Sequence, residues 1–147
     1  VFAIRNLADV NAMRPSLGRD GRAIIIGGGY IGLEVAACCR ALGLEVVVLE
    51  AGERVMGRTT SEVVSRYFEG LHRGNGVRIE VGSIVERIDR RASGQLVVST
   101  GDGDFVGDWV LVGIGAVGMM NGVAVGSTLT GGSPNVARPH CMSNWPG

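Results

Sequence analysis

Three glycines spaced Gly27-x-Gly29-x-x-Gly32, set between an apolar run and a helical stretch, constrain this chain more than any other feature. The run is Ala23-Ile24-Ile25-Ile26, β-branched and suited to a buried strand. Helical periodicity follows Gly29 and stops at Gly43. Then Glu45-Val46-Val47-Val48-Leu49-Glu50 reads as a strand buried on both faces and ending in a carboxylate. A strand, a glycine turn, a helix and an acid-terminated strand make a βαβ unit of the dinucleotide-binding kind. Gly27 permits the tight turn, Gly29 lets a pyrophosphate approach the backbone, and Gly32 lets the helix lie close against the strand. The unpaired N–H groups of the helix's first turn, with its dipole, form an anion site. Glu50 stands 18 residues past Gly32, near the offset of about 20 expected of a ribose-binding acid. The plainer alternative is an ordinary βαβ unit with a Gly-rich turn and no ligand.

Length and charge narrow the remaining choices. A chain of 147 residues is one domain's worth, enough for a single core. Fourteen basic and fourteen acidic residues balance, so no electrostatic footprint for nucleic acid or an anionic membrane is visible. Cys38, Cys39 and Cys141 have neither metal nor CxxC spacing, and the adjoining pair on the helix reads as small buried thiols. With no charged-then-apolar leader, these cysteines point to a reducing, cytoplasmic setting. The chain starts at Val1 without an initiator Met, which fits an excised or partial sequence.

Residues 1–20 predict an opening strand, Val1-Phe2-Ala3-Ile4, and a short helix with Leu7, Val10, Met13 and Leu17 on one side. In the helix after Gly29, Ile31, Val35, Cys39 and Leu42 fall on one face. A linker, 51–58, leads to Thr59-Thr60-Ser61-Glu62, which reads as a capping box with Thr59 as N-cap. Val63, Val64, Tyr67, Phe68 and Leu71 form the expected buried stripe of that second helix, and Gly74 and Gly76 end it. Val77–Val81 predicts a third parallel strand. The apolar runs 84–88, 95–98 and 105–106, divided by Gly and Asp turns, predict an antiparallel meander. Gly101-Asp102-Gly103-Asp104 lacks the spaced oxygen ligands of a calcium loop. Trp109–Val112 returns to the parallel sheet.

Composition breaks after that strand. Every acidic residue lies at or before Asp108, and residues 116–147 contain only Arg138 as a charge. Residues 109–127 are apolar, with Gly118, Gly122 and Gly126 in a GxxxGxxxG pattern, but the glycines make a poor isolated helix and the first residues fit a core strand better. The segment therefore reads as a Gly-rich, poorly structured tail and not as a membrane span, and residues 118–147 are expected to add little to the fold.

Taken together, these stretches resemble the NADH-binding domain of oxygenase-coupled, FAD-dependent ferredoxin reductases, the putidaredoxin reductase and biphenyl dioxygenase reductase type. That type is one of the two-dinucleotide, glutathione-reductase-like flavoproteins. The residues that carry the resemblance are Arg5-Asn6-Leu7-Ala8-Asp9, Gly27-Gly28-Gly29-Tyr30-Ile31-Gly32-Leu33-Glu34, Val48-Leu49-Glu50, Arg54-Val55-Met56-Gly57-Arg58, Leu71-His72-Arg73 and Val112-Gly113-Ile114-Gly115, within residues 1 to about 117. The resemblance implies that Gly27, Gly29 and Gly32 hold the pyrophosphate, that Gly28 and Ile31 belong to the same cofactor site, that Glu50 takes the adenosine ribose, and that Arg58 lies beside the adenosine or phosphates. It implies that Tyr30 is an aromatic gate over the nicotinamide, that Glu34 lines that pocket, and that Gly113-Ile114-Gly115 passes under the nicotinamide end. Tyr30 and Glu34 as plain first-turn helix residues, and Arg58 as a solvated charge, stay open beside those roles. His72 reads as a surface or capping residue in preference to a catalytic base.

The implied fold is α/β: a Rossmann-like parallel sheet flanked by helices, with an antiparallel β-meander. Residues 1–20 would link from an FAD domain, 21–117 would bind NAD, and 118–147 would be the atypical tail. The implied activity is an NADH-dependent, FAD-containing ferredoxin reductase. Its partners would be the FAD domain and a 2Fe-2S ferredoxin, with no nucleic acid and no membrane, and this stretch alone would be inactive. After Gly115 the resemblance ends: the family continues with a Pro-Asn pair and, later, a Gly-Asp segment that touches FAD, which this sequence lacks. A related NADH oxidase or disulfide reductase domain, or a free-standing nucleotide-binding module, are the alternatives. Glu50 predicts NADH over NADPH, with Arg54 and Arg58 as the opposing influence.

Overall fold

In the computed structural model, residues 1–3, 9, 11, 13, 21–113 and 124–125 are described, and they form two stacked sheets with helices on the outer side of one. The first sheet is parallel, in the order β1-β8-β2-β3-β4: β1 (Phe2–Ala3), β8 (Trp109–Val112), β2 (Arg22–Ile26), β3 (Glu45–Glu50) and β4 (Val77–Val81). The second has the order β7-β6-β5-β9: β5 (Val85–Arg90), β6 (Leu96–Thr100) and β7 (Gly103–Gly107) form the antiparallel meander, and β9 (Ala124–Val125) pairs in parallel with β5. Helix α1 (Tyr30–Ala41) joins β2 to β3, and α2 (Glu62–Gly74) joins β3 to β4.

Strand periodicity divides the core in two. Ala23, Ile25, Val46, Val48 and Leu111 point to the helix side, where they meet Leu33, Ala36 and Cys39 of α1. Ile24, Ile26, Val47, Leu49 and Val110 point the other way and meet Ile88, Leu96 and Val98 of the meander. The continuous apolar runs of β2 and β3 are thus explained by covering on both faces. Gly107 permits the close approach of the sheets, since a Cβ there would meet the Ile24 side chain at 2.9 Å.

The helices differ from expectation in which face they bury. On α1 the buried residues are Gly32, Leu33, Ala36 and Cys39, while Ile31 and Leu42 are exposed. The small residues win because they let the helix axis come closer to the sheet than the larger side chains would. On α2 the expected stripe is only partly covered: Phe68 and Leu71 are half-buried, but Val63 (79% exposed), Val64 and Tyr67 (64%) face outward. Polar groups hold the inner face instead. Ser65 is fully buried and donates its hydroxyl to the Val55 carbonyl. His72, expected at the surface, is 6% exposed, with Nε2 3.1 Å from the Leu33 carbonyl of α1 and Nδ1 2.9 Å from the Phe68 carbonyl. The capping box is also corrected. Ser61 is the N-cap and Glu62 the first helical residue, because the Thr59 and Thr60 hydroxyls both donate to the Met56 carbonyl in the preceding turn.

Asp9, Asn11 and Met13 are helical, and Met13 is buried, in line with the predicted short helix. Leu7, Val10 and Leu17 lie outside the described residues. So does the predicted tail, 118–147, apart from β9. No helix among the described residues is long and apolar enough to cross a membrane. Replacing His72 with Leu keeps its volume but removes the ring's bond to α1. The expected loss is about 1–3 kcal/mol, read as a lower urea midpoint at unchanged slope.

Candidate functional site

The carboxyl ends of β2, β3 and β8 meet the amino end of α1, and a cleft of about 590 Å³ opens there. Gly27, Gly29, Tyr30 and Ile31 line one wall, Glu50 to Arg54 and Met56 to Thr59 the other, and Gly113 the floor between them. This is where a doubly wound sheet places its ligand, outside the strand ends at the point where the chain direction divides.

Each glycine of the turn has a distinct geometry. Gly27 sits at φ 105°, a conformation that side-chain-bearing residues avoid, and its N–H donates to the Leu49 carbonyl at 2.8 Å. Gly28 is enclosed: an added Cβ would lie 3.0 Å from Val55 and 3.2 Å from Glu50. At Gly32 an added Cβ would fall under 3.0 Å from the Gly27 carbonyl oxygen, which makes this glycine the packing position. Gly29 is the N-cap of α1, with φ −81° and ψ −176°, and a Cβ there would meet nothing within 4 Å. That open direction is the cleft, and the first-turn N–H groups of α1 stand over it without a capping side chain.

The opposite wall is self-bracing. The Arg54 guanidinium donates to the Thr60 and Gly57 carbonyls, both at 3.0 Å. The Met56 carbonyl accepts from the N–H groups of Thr59 and Thr60 as well as from their hydroxyls. Met56 itself is buried at φ 53° and donates its N–H to the Gly28 carbonyl at 2.8 Å, which ties this loop to the glycine turn. Among the described residues Arg58 makes no hydrogen bond or ion pair; it is exposed and lines the cleft.

Glu50, half-buried, joins the two walls: Oε2 accepts from the Gly28 N–H at 2.6 Å and Oε1 from the Gly52 N–H at 2.7 Å. Tyr30, 53% exposed, projects at the cleft edge. Of the residues singled out in the sequence, the cleft brings together Gly27, Gly29, Tyr30, Ile31, Glu50, Arg58 and Gly113, while Gly28 and Gly32 lie beneath it as supports. Glu34 is exposed on α1 and is not part of the cleft wall. Ile114 and Gly115 lie outside the described residues. Among the described residues no cluster of His, Cys, Asp and Glu is placed to hold a metal ion. An anion-accepting helix end, a carboxylate and an exposed arginine lining one cleft suit a ligand with hydroxyl and phosphate groups.

The family described as pyridine nucleotide-disulphide oxidoreductase matches residues 1–141. The chain belongs to that family. Among its pyridine nucleotide-disulphide oxidoreductase relatives, the ferredoxin–NAD(+) reductase component of the anthranilate 1,2-dioxygenase system of Burkholderia cepacia is 40% identical over 114 residues, 78% of this chain and 28% of the relative. Putidaredoxin reductase, in its covalent complex with putidaredoxin, superposes with a TM-score of 0.73 at 38% identity, over 77% of this chain and 28% of that one. The water-forming NADH oxidase of Lactobacillus brevis, bound to NADH, gives a TM-score of 0.72 at 28% identity, over 78% and 25%. The chain thus spans under a third of the length of each.

The cleft residues to which sequence reasoning assigned no site role are Ala51, Gly52, Glu53, Met56, Gly57 and Thr59. The available signal was topological: the loop after β3 must emerge at the same sheet end as the glycine turn after β2, because the two strands are parallel neighbours. Two substitutions separate support from lining. Gly32→Ala, forced against backbone, should lose about 3 kcal/mol or more in denaturant unfolding. Gly29→Ala, with open space beside it, should lose about 1 kcal/mol or less, the difference between glycine and alanine at an N-cap.

Proposed function

We propose that this chain is the NADH-binding domain of an FAD-dependent oxidoreductase that passes hydride from NADH to flavin and electrons on to a 2Fe-2S ferredoxin. The observation that carries the reading is the cleft itself, where a carboxylate at the end of β3 and an uncapped helix end after Gly29 face one space. The higher identity to the ferredoxin reductases than to the NADH oxidase favours the ferredoxin as acceptor.

The adenosine ribose lies at Glu50, which accepts bonds from its hydroxyls, and the pyrophosphate lies at Gly29 and the first turn of α1. Arg58 adds its charge on the adenosine side. Tyr30 closes over the nicotinamide and shields it from water, and Gly113 lies beneath it. The residues around the cleft fit the dinucleotide; the flavin, held by another domain, supplies the step from two-electron to one-electron transfer. This chain's own share is to bind, orient and exclude water.

Charge decides between the nucleotides. A phosphate on the adenosine ribose would face the Glu50 carboxylate, and like charges about 4 Å apart repel by about 4 kcal/mol at an effective dielectric near 20. Solvent relieves much of this. Calorimetric titration is therefore expected to give NADH roughly a hundredfold tighter binding than NADPH, about 2.7 kcal/mol, and the ratio should shrink in Glu50→Ala. Equal affinities in the unaltered chain would overturn the reading. Flavin-free protein should also reduce ferricyanide with NADH no faster than a heat-denatured control.

A further inference from the structure

We propose that Glu50 is a positioning residue for the phosphate-facing glycine turn, a role separate from any bond to the ribose. The proposal rests on reading the cleft as an adenine-dinucleotide site. Both carboxylate oxygens are engaged by the chain's own backbone: Oε2 accepts from Gly28 N–H at 2.6 Å and Oε1 from Gly52 N–H at 2.7 Å. These are charge-assisted bonds from two loops to one group, stronger than neutral ones. The Glu50 carbonyl accepts a third loop at 2.9 Å through Ser83 N–H. Gly28 lies close against the Glu50 side chain, since an added Cβ there would fall 3.2 Å from its Cβ and Oε2.

The consequence lies in the donor and acceptor inventory. Two backbone N–H groups require two acceptors, which a carboxylate supplies and an amide does not. Glutamine at position 50 keeps the shape but turns one acceptor into a donor aimed at an N–H. A ribose hydroxyl both donates and accepts, so the same glutamine can still serve it. Glu50→Gln therefore damages the turn while sparing the ribose contact. The pyrophosphate half of the site then loses its preset geometry, and every adenine diphosphate suffers alike, with or without ribose hydroxyls.

The test is calorimetric titration of the 147-residue chain and its Glu50→Gln variant with ADP and with 2′,3′-dideoxy-ADP. Glu50→Gln is expected to weaken both ligands by about tenfold, because binding must then order the turn that the carboxylate had preset. Weakening of ADP alone, with dideoxy-ADP bound as in the unaltered chain, would assign Glu50 to the ribose only and overturn the proposal. Amide hydrogen exchange on the unaltered, ligand-free chain supplies a reading that needs no variant. Protection of Gly28 and Gly52 is expected, and exchange of both at the rate of open amides would overturn the brace. If the unaltered chain binds neither ADP nor NADH, the dinucleotide reading fails, while the exchange measurement still decides the bracing itself.

Discussion

Helix α1 starts almost on top of the Gly27 carbonyl, and only the missing side chain at residue 32 lets it do so. That one contact sets the distance between helix and sheet. From it follow the burial of Leu33, Ala36 and Cys39 against β2 and β3, and the position of the helix's free N–H groups at the strand ends. A helix lifted by one methyl group would move both its packing and its charge away from the cleft. Fold and site are thus coupled at a single backbone approach.

The parallel sheet gives that arrangement a stiff mount because it is covered twice. Alternate residues of the same strands feed the helix-side core and the meander-side core, so β2 and β3 present no solvated face. Each fully buried aliphatic side chain there contributes about 1.5–3 kcal/mol of transfer free energy, before chain entropy is set against it. The edge strand β4 is protected differently. Arg78 and Glu80 pair on its outward positions, and the Arg78 guanidinium lies 5.3 Å from the Phe105 ring of the meander. Charged side chains on an edge discourage pairing with a further strand.

Much of this was legible in the residues. The glycine spacing, the acid at position 50 and the two-sided apolar runs of β2 and β3 each have one dominant physical cause, so pattern and structure agree. The helices were less legible. On α1 the periodicity of Ile31 and Leu42 suggested one buried face, but closeness favoured the face of Gly32 and Ala36. On α2, Val63 and Tyr67 looked buried by apolarity alone, whereas the inner face is held by the Ser65 hydroxyl and the His72 ring, whose partners are carbonyls distant in sequence. Such bonds leave no periodic trace. Likewise Thr59 matched a capping pattern that the Met56 carbonyl outcompeted. Among site residues, Glu34 fits the motif by position but lies on an exposed turn of the helix.

The loop 51–60 carries its own scaffold. Arg54 and the Met56 carbonyl hold its backbone from within, and Met56 N–H bonds it to the Gly28 carbonyl of the glycine turn. Arg58 therefore sits on a rigid bracket whose shape does not depend on what Arg58 is. A different side chain at position 58 would leave the bonds of the bracket and the sheet beneath it in place. The charge presented to the cleft is thus set by a side chain that the fold itself does not need.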